Sequence, residues 1–213
     1  MCGVVGVSLT NVNSADIALV QRVMKETQIR GMHASGIAYH NGSNLTRIAT
    51  SAPISELCDD LDWKELTASG NLNLVAHARY STSDLEFHQP LGDNDLFISH
   101  NGVITQESPD KWEDTYGHVY NTRNDSEILL NKIRSGTEES EISFDLVGAS
   151  IAVVTIDAAG TVRGWRNSLR PLWRTDLHNG FIYTSTRDIV TRSCDSLTPV
   201  KMESVDGTEH QSR

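Results

Sequence analysis

The second residue carries the strongest chemical potential in the chain. The sequence opens Met1-Cys2-Gly3-Val4-Val5-Gly6. Initiator methionine is usually clipped before a small residue, which would leave Cys2 as the N-terminus with a thiol and a free α-amine. The thiolate is a nucleophile. An α-amine with a reference pKa of roughly 7.7–8.0 is partly unprotonated near neutrality and can serve as general base. One residue then supplies both groups, with no catalytic histidine needed. Taken alone, the hexapeptide fits equally a chance cysteine between flexible glycines.

Three further constellations complete a reaction centre. In His100-Asn101-Gly102, Asn101 offers a side-chain amide and Gly102 a backbone N–H unobstructed by a Cβ. Such a pair can stabilise an oxyanion, although Asn-Gly between two apolar runs equally reads as a hairpin turn. In Ala76-His77-Ala78-Arg79-Tyr80-Ser81-Thr82, Arg79 ends an apolar strand. Its guanidinium fork matches a carboxylate; a structural salt bridge is the plainer alternative. In Asn124-Asp125-Ser126-Glu127 the acids suit a helix start. The same carboxylate, held in place, can receive a substrate ammonium. A thiolate, an oxyanion site, a carboxylate clamp and an ammonium site together describe glutamine. Asparagine would place its amide one methylene too close to the clamp.

The elements that must position these residues follow from pattern. The 213 residues are 38% hydrophobic and 22% charged, ordinary for a soluble globular chain with a sizeable core. The net charge of −10, without a basic run, argues against nucleic-acid binding. No apolar stretch is long enough to span a bilayer, and no secretory segment follows Met1, so a cytoplasmic location is expected. Cys2, Cys58 and Cys194 form neither a disulfide framework nor a zinc site. No GxxxxGK[ST] or GxGxxG loop marks a nucleotide site.

Cys2–Leu9 reads as a buried strand. Ser14 caps a helix over Ala15–Ile29 that Gly31 ends. Ser35–His40 and Leu45–Thr50 form a hairpin through a type I′ turn at Asn41-Gly42. A helix covers Ile54–Ala68, and Leu72–Arg79 is a strand. Asp95–Ser99 and Val103–Thr105 are strands flanking the Asn-Gly pair, and Pro109–Gly117 is a loop or short helix. Asn124–Ser135 is a helix with Asn124 and Glu127 as capping box. Gly148–Asp157 pairs with Thr161–Trp165; Leu172–Arg174 and Phe181–Thr186 add strands, and Asp188–Cys194 a last helix. Antiparallel hairpins interleaved with helices indicate an α+β layered fold. No composition break divides residues 1–213, which read as one domain with a loose polar tail from about Asp206.

With these residues assembled, the chain resembles a class II glutamine amidotransferase domain, one of the N-terminal-nucleophile hydrolases. The matches come in family order: Met1-Cys2-Gly3-Val4-Val5-Gly6, Arg30-Gly31-Met32-His33-Ala34-Ser35-Gly36, His77-Ala78-Arg79-Tyr80-Ser81-Thr82, His100-Asn101-Gly102, Asn124-Asp125-Ser126-Glu127 and Arg170-Pro171-Leu172. His88-Gln89-Pro90 resembles a Gln-Pro turn of several branches. Arg79-Tyr80 with Thr82 is similar to the branch of phosphoribosylpyrophosphate and glucosamine-phosphate enzymes. The likeness runs from about Cys2 to Ile189.

The resemblance implies an αββα sandwich of mainly antiparallel sheets with the thiol in a cleft between them. It implies Cys2 as nucleophile and base, Asn101 and Gly102 as oxyanion pair, Arg79 as carboxylate clamp and Asp125 as ammonium acceptor. Arg30 matches a loop arginine near the site, and Tyr80 and Thr82 the substrate-lining loop. It implies glutamine as substrate, no metal or organic cofactor, and an ammonia acceptor, here expected on a separate synthetase subunit. A γ-glutamyl amide or peptide hydrolase, and a non-catalytic regulatory subunit, are the competing expectations. Three departures stand out: His33 where many members carry an acid, Ser83 where some carry His, and Ser185-Thr186-Arg187 without the family's Glu.

Overall fold

In strand β1 (Gly3–Leu9) alternate side chains enter two different cores, and this alternation explains the architecture. Val5, Val7 and Leu9 pack outward with helix residues, whereas Val4 packs inward against a second sheet. The computed structural model describes residues 2–80 and 88–206. Thr82 and Ser83, and the tail beyond Asp206, lie outside the described residues. Asp206 itself is anchored: its carboxylate accepts from the Ser168 N–H at 3.1 Å and hydroxyl at 2.9 Å.

Helix α1 (Ser14–Thr27) follows β1. Its cap is Asn13 rather than Ser14. Asn13 accepts from the N–H groups of Ala15 and Asp16, while Asp16 reaches back to the Asn13 N–H in a reciprocal box. The α-helix stops at Thr27 and a single 3₁₀ turn, Gln28–Arg30, carries the chain to Gly31. A side chain at Gly31 would lie 2.3 Å from the Arg79 carbonyl carbon, so glycine lets this loop pass over the end of the strand that Arg79 closes.

Strands β2 (Ala34–His40) and β3 (Leu45–Thr50) pair through a four-residue loop. The expected two-residue turn is replaced because the Asn41 side chain accepts from the N–H groups of Ser43 and Asn44. The expected helix over 54–68 is two helices, α2 (Ile54–Asp60) and α3 (Trp63–Leu66). Asp62 interrupts it, with its side chain capping the second segment at Lys64 and Glu65. Strand β4 (Leu72–Arg79) then runs between β1 and β2.

Strands β5 (Leu91–Gly92) and β6 (Leu96–Val103) begin the second sheet. Here the structure overturns the reading of His100-Asn101-Gly102 as a turn between two strands. The segment is continuous strand, paired residue for residue with β7 from Leu96–Asp157 to Val103–Ser150. Helices α4 (Trp112–Tyr116), α5 (Ser126–Arg134) and α6 (Glu139–Asp145) precede β7 (Ser150–Asp157) and β8 (Val162–Arg166). Strands β9 (Trp173–Leu177) and β10 (Gly180–Thr184), helix α7 (Arg187–Ser193) and β11 (Val200–Lys201) end the described chain.

The seven-stranded sheet runs β11-β9-β10-β1-β4-β2-β3 and the four-stranded sheet β5-β6-β7-β8, antiparallel throughout. Val4, Ala38 and Val75 of the first meet Phe97, Ala152 and Val154 of the second. Helices α1 and α2 cover the outer face of the larger sheet, and α4, α5 and α6 that of the smaller. This is the expected αββα sandwich. Among the described residues no helix is long and apolar enough to cross a membrane.

Candidate active site

The strand alternation that builds the core also aims the candidate residues. On β4, Ala76 and Ala78 join the outer core, while Val75 faces the second sheet; His77 and Arg79 share the inward face. The pairing of Gly3 with Ala78 and Val4 with His77 sets Cys2 beside Arg79 on that same face. On β6, Ile98 packs outward and Phe97 inward, so Ser99 and Asn101 project inward from the opposite wall. The thiol-bearing end of one sheet and the amide-bearing end of the other therefore face each other.

They border a cleft of about 350 Å³ lined by, among others, Cys2, Arg79, Tyr80, Gly102 and Asp125. Cys2 is partly exposed, with its Sγ 3.9 Å from the Tyr80 carbonyl oxygen. The start of β1 is pinned by Ser185, whose hydroxyl accepts from the Val4 N–H at 2.7 Å and whose own N–H donates to the Val4 carbonyl at 3.2 Å. Thus the late Ser185 segment, which lacks the family's Glu, still holds the strand that carries the nucleophile. Tyr80 is half exposed and stacks on His33 with ring centroids 5.0 Å apart. The His33 N–H also donates to the Arg79 carbonyl. His33 thereby braces the chain leaving β4 at Arg79 and Tyr80.

Gly102 sits where no side chain fits. A Cβ there would lie 1.7 Å from the Ser150 carbonyl oxygen and 2.6 Å from His100 Nε2. Asn101 is buried and is not part of the lining surface. Asp125 uses one carboxylate oxygen to accept from the N–H of Ile104 at 2.6 Å and of Thr105 at 3.3 Å. It ties the start of α5 to the chain leaving β6. Glu127 does not close a capping box with Asn124: its carboxylate accepts from the N–H groups of Asn121 and Thr122, fixing the loop before the helix. Arg30 ends the 3₁₀ turn and packs behind Gly3, where a Cβ would meet its own Cβ at 2.9 Å. It does not line the cleft. Thr82 lies outside the described residues.

Around β6, and partly lining the cleft, is a polar network of largely buried side chains that gives no clear signal in the sequence. The Gln89 side chain accepts from the His100 N–H at 2.6 Å and donates to the Ser126 hydroxyl at 3.1 Å. His100 Nδ1 lies 2.8 Å from the same hydroxyl and Nε2 3.1 Å from the Ser150 carbonyl. Ser150 accepts the Val103 N–H and is itself approached by Arg170 Nε at 3.2 Å. Burial drives the His100 imidazole toward its neutral form, with Asp125 opposing the shift. The Gln89-Pro90 bond is cis. Through these bonds Gln89 of the Gln-Pro motif braces β6, and Arg170 of the Arg-Pro motif braces the start of β7. His77, Gln106, Trp112 and Arg123 also line the cleft without having been singled out as site residues.

No established family profile matches the chain. Sequence relatives do. A glutamine–fructose-6-phosphate aminotransferase of Vibrio vulnificus is 29% identical over 140 residues, covering 62% of this chain and 22% of that protein. One from Helicobacter pylori is 23% identical over 218 residues, covering 96% of this chain and 36% of that protein. The chain therefore spans about a fifth to a third of these relatives' lengths. Among solved structures, the glutamine phosphoribosylpyrophosphate amidotransferase of B. subtilis superposes with a TM-score of 0.70 at 21% identity, over 95% of this chain and 46% of that one. A glutamine aminotransferase class-II domain protein from Silicibacter pomeroyi gives 0.51 at 11% identity, over 94% and 91%. The structural likenesses establish the shared fold, and the sequence relatives are glutamine-using aminotransferases by name: the chain is similar to class II glutamine amidotransferase domains.

Proposed function

We propose that this domain hydrolyses the side-chain amide of glutamine to glutamate and ammonia, and that the ammonia passes to an acceptor domain or subunit. The observation that carries the reading is the convergence of Cys2, Arg79, Gly102 and Asp125 on one cleft between the sheets. Removal of Met1 frees the Cys2 amine, which takes the thiol proton directly or through water. The thiolate attacks the glutamine side-chain carbonyl. The resulting oxyanion is received by the Asn101 amide and the Gly102 N–H. The nitrogen leaves as ammonia after taking up a proton, and water hydrolyses the γ-glutamyl thioester to release glutamate and the thiol. Arg79 holds the α-carboxylate in a forked pair. Asp125 receives the α-ammonium, with Tyr80 and Thr82 flanking and Arg30 supporting the site from behind β1. No step calls for a metal or organic cofactor. Residues 1–213 act as one glutaminase-type domain, and a reducing cytoplasm suits its free-thiol nucleophile.

The test is glutamine hydrolysis by the Cys2→Ala variant. Glutamate release is expected to fall to background while the far-UV circular dichroism is unchanged. Retained hydrolysis in that variant would refute the assignment.

A further inference from the structure

His77 has no role in the mechanism above, yet its position is unusual. It shares the inward face of β4 with Arg79, one side-chain step deeper, about 6.8 Å along the strand. That step is comparable with the length of an extended glutamine side chain. It is opposed on β1 by Val4, and so lies diagonal to Cys2 on the side away from the cleft mouth. The residue is 1% exposed and lines the same cleft as Cys2 and Arg79. Neither ring nitrogen makes a hydrogen bond of ordinary geometry among the described residues, although the His100 main chain lies against the ring. Buried polar groups are almost always satisfied, and exceptions in a cleft call for an explanation.

Placement supplies one. With the α-carboxylate on Arg79 and the carbonyl carbon at Cys2, the amide nitrogen is the part of glutamine that reaches deepest. We infer that His77 orients the substrate's leaving group by accepting one carboxamide N–H on a ring nitrogen. The contact turns the nitrogen lone pair toward the proton held by the Cys2 amine. His77 exchanges no proton. The Sγ–Cδ bond forms, the Cδ–N bond breaks, and the proton that left the thiol goes by way of the amine to the departing ammonia. The ring is suited to accept because it stays uncharged: burial, reinforced by Arg79, drives its pKa down to about 3. The inference rests on the glutaminase reading and adds to it a contact specific to the amide end.

The experiment compares glutamine with glutamic acid γ-methyl ester, which has the same α-amino-acid head and carbonyl but no N–H on its leaving group. In H77L, kcat/KM for glutamine should fall about tenfold, the scale of one lost hydrogen bond, chiefly in kcat, while ester hydrolysis changes less than threefold. H77Q, which keeps an acceptor, should recover part of the glutamine rate. An equal loss on both substrates, or no loss on glutamine, overturns the inference and leaves the glutaminase reading standing. If H77L melts below the assay temperature, the same ratio in H77M decides. Wild-type protein that hydrolyses the ester but not glutamine would sink the glutaminase reading itself, and the inference with it.

Discussion

The two walls of the cleft are built differently. The larger sheet presents Cys2 and Arg79 from strand ends, held by main-chain pairing, with the Ser185 hydroxyl pinning the start of β1 and the His33 N–H donating to the Arg79 carbonyl. The smaller sheet presents Gly102 and buries Asn101 beside it, in a strand joined to Gln89, His100, Ser126 and Ser150 in one hydrogen-bonded cluster, of which Gln89, His100 and Ser126 also line the cleft. The first wall is thus held mainly by backbone pairing between interior strands, and the second also by a buried side-chain network. That division suits an oxyanion site, whose value depends on donors that need no reorganisation as charge develops. It also predicts that damage to the two walls reads out differently.

The sharpest contrast is between Asn101 and Arg79. Asn101→Ala should lower kcat for glutamine about 10²–10³-fold with little change in KM, because its donor matters only once the oxyanion forms. Steady-state kinetics checks this, and a change confined to KM would remove Asn101 from the oxyanion site. Arg79→Lys keeps the charge but loses the fork. It should raise KM about 10–100-fold, the scale of a charge-assisted hydrogen bond, with kcat falling less. An unchanged KM would break the clamp assignment. Both variants should unfold near the wild-type temperature.

Substitution in the network around β6 should do the reverse. Ser126→Ala removes the partner of both Gln89 and His100 inside the protein. Losing these buried bonds costs about 1–3 kcal/mol, so the urea midpoint should drop clearly, with at most a small rise in KM for glutamine because Ser126 also lines the cleft. Equal stability would mean the cluster does not brace the strand.

A separate expected effect is on the pH dependence of stability. His77, at about 3, and His100, also lowered, both resist protonation in the folded state, chiefly through burial. The unfolded chain binds more protons below its ordinary histidine pKa of about 6.5. Stability should therefore be fully present above that value and decline as pH falls toward about 3. Each group contributes at most about 1.4 kcal/mol per pH unit. Urea titrations from pH 7 to 5 should show the decline, and H77L should flatten it. A slope unaltered in H77L would contradict the buried neutral state of His77.

The sequence was most legible where a side chain is chemically out of place for its element. A thiol next to the start, a guanidinium ending an apolar strand and an acid opening a helix each stand out without a fold. The layered αββα class followed from the hairpins and from the resemblance together. What was hidden depends on distant partners. Asn101-Gly102 looks like a turn because its dipeptide suits one; only pairing with β7, about fifty residues on, keeps it extended. Gln89 and His100 look ordinary until Ser126 reaches them from another element. Asp62 stands in a stretch that reads as one helix, yet its side chain caps a second segment and divides it. Arg30 shows the converse: a motif match placed it at the site, and the fold sets it behind β1.

The central claim is that a single thiol, that of Cys2, attacks a glutamine-shaped substrate from a processed N-terminus. The chain offers its own controls. Cys58 is buried, its thiol pushed up to about 11 by burial, and Cys194 lies outside the cleft lining. The direct measurement is intact and peptide mass spectrometry after incubation with a diazoketone analogue of glutamine. The account predicts one adduct per chain, on Cys2, in protein lacking Met1, and protection by excess glutamine. Protein that retains Met1, or an adduct on Cys58 or Cys194 with Cys2 unmodified, would contradict it.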